Sequence, residues 1–231
     1  MKKYFAFAIL ILLAACGTEN AEFEPITKIY QSYRVEYVES EDVTNVQASF
    51  RIKSPFGEKF IIEDPVSFLM NGRGMNLDTN RQYPYFYQFD GRETPIVFVY
   101  DNPDMEQRTE IVASLDSVRT ISLPVKSDTI SLDSTVVIRW GGPSIARNER
   151  ITITIADTSG KTVSQFTEIF NTNSLSFFLR DLSPLKPGPG TLEISRRLEV
   201  SLDDKTPYGG TLYMALSTGP SAVVLKKKKA D

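Results

Sequence analysis

Short runs in which apolar and polar residues alternate, each cut off by a turn signal, constrain the fold of this chain most. A period of two places successive side chains on opposite faces of an extended strand, so one face is buried and the other wetted. Val46 to Ile52 sets Val46, Ala48, Phe50 and Ile52 on one face, and Ile26 to Glu39 carries Ile29, Tyr33, Val35, Tyr37 and Val38. Phe60 to Ile62 and Val66 to Met70 are divided by Asp64-Pro65. Asn71-Gly72 and Asp90-Gly91 supply residues suited to positive φ on either side of Tyr83 to Phe89, and Ile96 to Tyr100 follows. Beyond Leu123-Pro124 the pattern resumes in Ser134 to Trp140, Ile151 to Ile155, Thr162 to Phe166, Leu175 to Leu182, Leu192 to Leu202 and Thr211 to Leu216. The expected fold is all-β, with two antiparallel sandwich-like domains over residues 25–122 and 123–225. Asn102 to Val118 fits two patterns: Asn102-Pro103-Asp104 suits a helix start, whereas Thr109 to Leu115 suits a strand. A strand is expected, because every neighbour is one.

The N-terminus has a different character. Lys2 and Lys3 precede an apolar run from Tyr4 to Leu13, and Leu13-Ala14-Ala15-Cys16 closes it with small residues before the only cysteine. A spanning helix needs roughly 20 apolar residues, so this shorter run is expected to be a secretory signal over residues 1–15. It resembles the bacterial lipoprotein signal with its lipobox. That resemblance implies lipid attachment at Cys16 and cleavage after Ala15. Several acyl chains, each methylene adding about 0.8 kcal/mol, then anchor the protein at a membrane. Residues 16–24 are polar and acidic and read as a tether. Acids soon after the cysteine resemble the export signals of Bacteroidota lipoproteins, which implies a cell-envelope location and points to the outer membrane.

Composition narrows the chemistry. Without residues 1–15 the chain keeps 24 basic and 29 acidic residues, a net charge of −5, and four of the cations form the run Lys226 to Lys229 in the tail 226–231. No basic face for nucleic acid is expected. The lysine run suits anionic lipid, a partner or simple solubilisation. There is no histidine, which excludes Ser-His-Asp and Cys-His catalysis. With Cys16 committed to lipid, neither a zinc site of nitrogen and sulfur ligands nor an internal disulfide is expected, and no cofactor is implied.

The second half carries a resemblance of its own. Ser134 to Trp140 ends at Gly141-Gly142-Pro143, and Leu179-Arg180-Asp181-Leu182 precedes the corner Pro187-Gly188-Pro189-Gly190. Over about 100 residues this resembles the fibronectin type III and immunoglobulin-like sandwiches, with Trp140 as the core tryptophan. The tyrosine common after that corner is missing, and Leu192 and Ile194 occupy the region. A fold of this kind carries no function by itself.

Motifs for chemistry are weak. Gly160-Lys161-Thr162 lacks the earlier glycine of a phosphate loop, since Ile155 stands there, and a hairpin turn is expected. Ser183-Pro184-Leu185-Lys186 has serine-lysine spacing but sits in a proline-rich corner. Asp64, Asp101, Asp104, Asp203 and Asp204 form no glycosidase pattern, and Asp101, Asn102 and Asp104 match no calcium loop. No metal ligands are assigned. The candidate ligand-binding residues are aromatic: Tyr83, Tyr85, Tyr87 and Phe89 share one face of a strand, with Phe86 and Gln88 on the other. One of the two faces must be core. If the tyrosine face is exposed it forms a platform for sugar rings or a protein; otherwise the rings are structural. The expected function is a lipid-anchored, non-catalytic binding or assembly component, with an envelope protein or a glycan as partner. A carboxylate-dependent enzyme acting on polysaccharide and a spacer without a ligand site are the alternatives.

Overall fold

A computed structural model describes residues 28–123 and 128–227. The signal segment, Cys16, the acidic tether and Lys228 and Lys229 lie outside the described residues. The first half forms β1 (Ile29–Val38), β2 (Val43–Ile52), β3 (Ser67–Met70), β4 (Asn76–Leu77), β5 (Tyr85–Asp90), β6 (Ile96–Asn102) and β7 (Gln107–Ala113). The second half forms β8 (Thr129–Ser131), β9 (Val136–Arg139), β10 (Glu149–Asp157), β11 (Thr162–Thr167) and β12 (Ser174–Phe177). One helical turn, α1 (Leu179–Leu182), precedes β13 (Gly188–Ser201), β14 (Gly210–Ser217) and β15 (Ser221–Lys226).

The architecture is all-β and sandwich-like. One long sheet runs β11-β10-β13-β14-β1-β2-β5-β4, with β15 paired to β13 and β8 to β15. Two small sheets, β3-β6-β7 and β9-β12, pack on one face of it. Register explains why both cores share that face. Inward Val35 lies beside Met214, which lies beside Leu198, and the row ends at Glu149. The first core unites Tyr33, Val46, Phe50 and Tyr85 of the long sheet with Phe68, Phe98, Tyr100 and Ile111 of its cover. The second unites Ile151, Ile153, Ile155 and Ile194 with Ile138 and Phe177 of the smaller cover. Trp140 is buried in this second core, its indole N–H donating to the Pro143 carbonyl at 3.4 Å.

The ribbon formed by β13 with β14 and β15 belongs to both cores. Its first half pairs Gly188 with Leu225 through Leu192 with Ser221, and its second half pairs Ser195 with Ser217 through Ser201 with Thr211. Between these ladders Thr218-Gly219-Pro220 face only Glu193-Ile194, and the extra residue makes a bulge. The Thr218 N–H donates to the Ile194 carbonyl at 3.0 Å, and the Ile194 N–H returns a bond to Thr218 Oγ1 at 3.2 Å. Glycine is required beside it: Gly219 has φ 65°, and a Cβ there would collide with the Ser40 side chain. β14 continues alongside β1 in parallel, so Leu202, Leu212 and Met214 are members of the first core. The division expected near Leu123-Pro124 thus separates the two covering sheets, while β13 and β14 carry the chain back into the first core. Residues 25–122 alone do not complete that core.

Asn102 to Val118 forms a hairpin arm flanked by tight turns. β6 and β7 pair from Ile96 with Ala113 to Asn102 with Gln107, and a single 3₁₀ turn, Pro103–Met105, joins them. A second, Leu115–Ser117, follows. The Asn71-Gly72 turn is present with positive φ at both residues, closed by mutual bonds between Met70 and Arg73.

Candidate functional site

The aromatic strand faces inward. β5 begins at Tyr85, which leaves Tyr83 before the strand. In the register with β2, Tyr85 lies opposite Ala48, Tyr87 opposite Val46 and Phe89 opposite Thr44, all on the core side. Tyr85 is 7% exposed, meets Phe50 and Phe68 edge-on at 5.6 Å each, and its hydroxyl accepts the Ile62 N–H at 2.6 Å. Tyr87 and Phe89 are half-buried against the same core. An exposed platform of Tyr83, Tyr85, Tyr87 and Phe89 is therefore not formed. The pairing with β2 decides this, and alternation within the strand is blind to it because both faces carry aromatic rings.

The opposite, wetted face of the long sheet is polar. One row across it runs Arg150, Arg197, Ala215, Glu36, Asn45 and Gln88, each beside the next. Charges on this face are paired: Arg34 with Glu36 at 2.7 Å, Arg197 with Glu199 at 3.4 Å, and Arg150 with Glu168. Guanidinium groups also lie over rings, Arg81 at 3.8 Å from the Phe86 centroid, Arg150 at 4.4 Å from Phe166 and Arg197 at 4.7 Å from Tyr213. Such stacking holds a long cationic side chain flat against the sheet. A shallow cleft of 590 Å³ opens on this face, lined by Arg150, Glu168, Arg197 and Glu199 among others. With donors and acceptors in alternation, this cleft is suited to hydrogen bonding with hydroxyl, amide or carboxylate groups.

Where the two cores meet, the inward pattern of β13 is interrupted. Leu192, Ile194, Leu198 and Val200 point inward, and Arg196 takes the slot between them, fully buried. Its guanidinium donates to the Thr120 carbonyl at 2.8 Å and to the carbonyls of Pro143 at 2.5 Å and Ser144 at 3.1 Å. Its Nε lies 3.6 Å from Glu149, which also receives two bonds from Arg119 at 2.9 Å and 2.5 Å. Burial pushes the Arg196 pKa down against the attraction of Glu149. Burial works to raise that of Glu149, yet the bonds from Arg119 and the Ala146 N–H and the charge of Arg196 hold it below the ordinary value. The cluster stitches the connecting segment 119–122 to the second core. Its one signal in the sequence is an arginine at an inward position of an apolar alternation.

The remaining motifs are structural. Gly160-Lys161-Thr162 is the hairpin turn between β10 and β11, with Gly160 at φ 82°. Asp157 holds it, accepting from the Ser159 hydroxyl at 2.7 Å, the Lys186 N–H at 2.9 Å, the Ser159 N–H at 2.8 Å and the Lys161 N–H at 3.1 Å. These bonds, the Ser159 hydroxyl first, lower its pKa to about 2. Ser183 to Lys186 follows α1 and connects through the same carboxylate to that turn. Asp101 pairs with Arg108 at 3.4 Å. Among the described residues no group of three or more acids, cysteines or histidines is arranged to hold a metal ion, and no helix is long and apolar enough to cross a membrane. No protein-family model matches the chain. A search of curated proteins likewise finds no match.

Proposed function

We propose that the protein is a lipid-anchored component of a bacterial cell envelope, held through Cys16, that works by non-catalytic binding or assembly. The observation that carries this reading is the single sheet running unbroken through both cores, which makes a stiff arm with one ordered polar face. Lys28, where the described chain begins, stands twelve positions after Cys16, so a short tether joins that arm to the lipid. The partner is a protein or a glycan that hydrogen-bonds to the face of Arg150, Arg197 and Glu199, in place of the tyrosines that the core consumes. The second half acts as a fibronectin III-like or immunoglobulin-like module. Support comes from its pairing of β9 with β12 in one layer and β11-β10-β13-β15 in the other, the two-sheet division of such sandwiches. Glu149 and Asp157, two acids whose pKa values are lowered, both hold the fold together, which disfavours the carboxylate-enzyme alternative.

Mass spectrometry of the native membrane fraction tests the anchor, with a mature chain expected to begin at acylated Cys16. Cys16→Ala should release the chain from that fraction. Cross-linking in the native envelope, followed by capture, tests the face. Arg150→Ala with Arg197→Ala is expected to lose the partner that the parent captures while unfolding at an unchanged temperature. Retention of that partner by the double variant would place binding elsewhere.

A further inference from the structure

The two ends of the arm differ in charge. β1 begins at one end, where Asp104, Glu106, Asp203 and Asp204 stand among Lys28, Lys53 and Lys205, and where Phe56 is exposed. β13 then spans about 45 Å at the usual strand rise. At its opposite end the β10–β11 turn, the α1 segment and the last residue of β15 come together. The Asp157 carboxylate ties the first two, through the N–H groups of Lys161 and Lys186. The ladder that sets Leu225 opposite Gly188 brings Lys226 to the same end, and the Leu132 N–H bonds the Lys226 carbonyl at 2.8 Å.

This end exposes an adjacent apolar pair, Phe178 at 52% and Leu179 at 51%. The Phe178 N–H is bonded to Asp181 at 2.9 Å, which fixes the pair at the start of the α1 turn. Cations share this end: Arg180 lies 5.8 Å from the Phe178 ring, Lys161 and Lys186 stand on the two segments that Asp157 ties together, and Lys226 ends β15. The acids there are Asp133, Asp157 and Asp181, of which Asp181 caps Phe178 and sits 3.6 Å from Arg180. Lys161, Arg180, Lys186, Lys226 and Lys227 outnumber these three, so a chain that is acidic overall presents an end with an excess of cations beside two exposed apolar side chains.

We propose that this tip docks on an anionic lipid surface, with Phe178 and Leu179 entering the interfacial layer and Lys161, Arg180, Lys186 and Lys226 facing lipid phosphates. The pattern fits a lipid surface better than a protein groove because the exposed apolar pair sits at the start of a turn on an end where cations come from several separate segments. Membrane-surface segments combine the same two terms, buried apolar area and attraction to anionic headgroups. Resting on the anchor reading above, it makes the arm a bridge between the membrane that holds Cys16 and a second, anionic one.

The test uses two vesicle populations. Lipidated protein is reconstituted into phosphatidylcholine vesicles, and flotation measures its incorporation. Labelled phosphatidylcholine vesicles, with or without phosphatidylglycerol, are then added and their capture is measured. Capture of the anionic vesicles alone is expected, with a loss of about fivefold for each of Lys161→Gln, Lys186→Gln and Lys226→Gln. Phe178→Ser with Leu179→Ser should reduce it further, and high salt should abolish it without any substitution. Equal capture of neutral vesicles, no capture, or capture indifferent to the lysine changes and to salt would overturn the proposal. Failure of the protein to float would instead remove the anchor. The tip is then decided by co-sedimentation of the Cys16→Ala chain and its lysine variants with the same two lipid mixtures.

Discussion

The two cores share one sheet face but are filled differently. In the first, a few large rings touch one another: Tyr33 stacks on Phe98 at 4.5 Å, and Phe50 meets Phe68 at 4.9 Å, Tyr100 at 5.5 Å and Tyr85 at 5.6 Å. In the second, branched aliphatic side chains dominate, with Ile151, Ile153, Ile155 and Ile194 fully buried on adjacent strands. A network of rings concentrates stability in single residues, whereas a layer of isoleucines spreads it over many. Phe50→Ala should therefore give the largest effect, a loss of about 4 kcal/mol, because the ring leaves a cavity that four aromatic neighbours cannot jointly fill. Denaturant unfolding measures it. A loss under 2 kcal/mol would mean that the rings relax into the space and that the first core is as forgiving as the second.

Arg196 tests whether the two cores unfold as one. It is the polar plug between them, and Leu216 packs against both. Arg196→Ala leaves the Thr120 carbonyl without this donor, leaves Pro143 to the Trp140 indole, Ser144 to Arg119, and Glu149 to Arg119 and the Ala146 N–H, at a cost of about 3 kcal/mol. The parent should melt in a single calorimetric transition, since β13 and β14 run through both cores, and the variant in two. Trp140, the only tryptophan, reports the second core, and tyrosine emission reports the first. Coincident melting of both signals in the variant would show that the shared ribbon suffices to couple the cores without the plug.

Much of the strand content was legible because alternation is local. Val46 to Ile52, Ile96 to Tyr100 and Thr162 to Phe166 read as strands and lie in β2, β6 and β11. The expectation that Trp140 is a core residue comes instead from the resemblance to the immunoglobulin-like sandwiches, and Trp140 is buried in the second core. Pairing was not legible. Nothing near Leu212 or Met214 announces that they sit beside Tyr33 and Val35, because a parallel neighbour 179 residues away leaves no local mark. Short strands such as β8 gain their identity only from the β15 edge that they join. The candidate site failed at the same level: the composition of β5 allowed either face, and its register with β2 chose. The polar face was hidden for a related reason, since Arg150, Arg197 and Glu36 become neighbours only once β10, β13, β14 and β1 are laid side by side.

Smaller effects sharpen the contrast. Ile153→Val removes one methylene from the aliphatic layer and should cost about 1 kcal/mol in denaturant unfolding, several-fold less than the ring deletion. A value near that of Phe50→Ala would erase the distinction between concentrated and distributed packing.

Acid should distinguish the cores without removing any packed apolar atom. Asp157, at the far end of the second core, is held at about 2 against an ordinary value of 3.8, so its ionised form is favoured in the folded state. The stability it confers is complete above the ordinary value and drains away as the pH falls from there to about 2. Below that range the folded and unfolded chains bind the proton alike. Protonation weakens the carboxylate's grip on the N–H groups of Ser159, Lys161 and Lys186, which loosens the turn and the segment after α1 together. In the Arg196→Ala background, where the two cores are expected to unfold separately, unfolding followed by Trp140 should therefore lose stability over that window faster than unfolding followed by the tyrosines of the first core. Adding Asp157→Asn to that background should flatten the Trp140 curve there and leave the tyrosine curve unchanged. Equal acid sensitivity of the two signals with and without Asp157→Asn would mean that the turn contributes to the whole sheet rather than to the end that it closes.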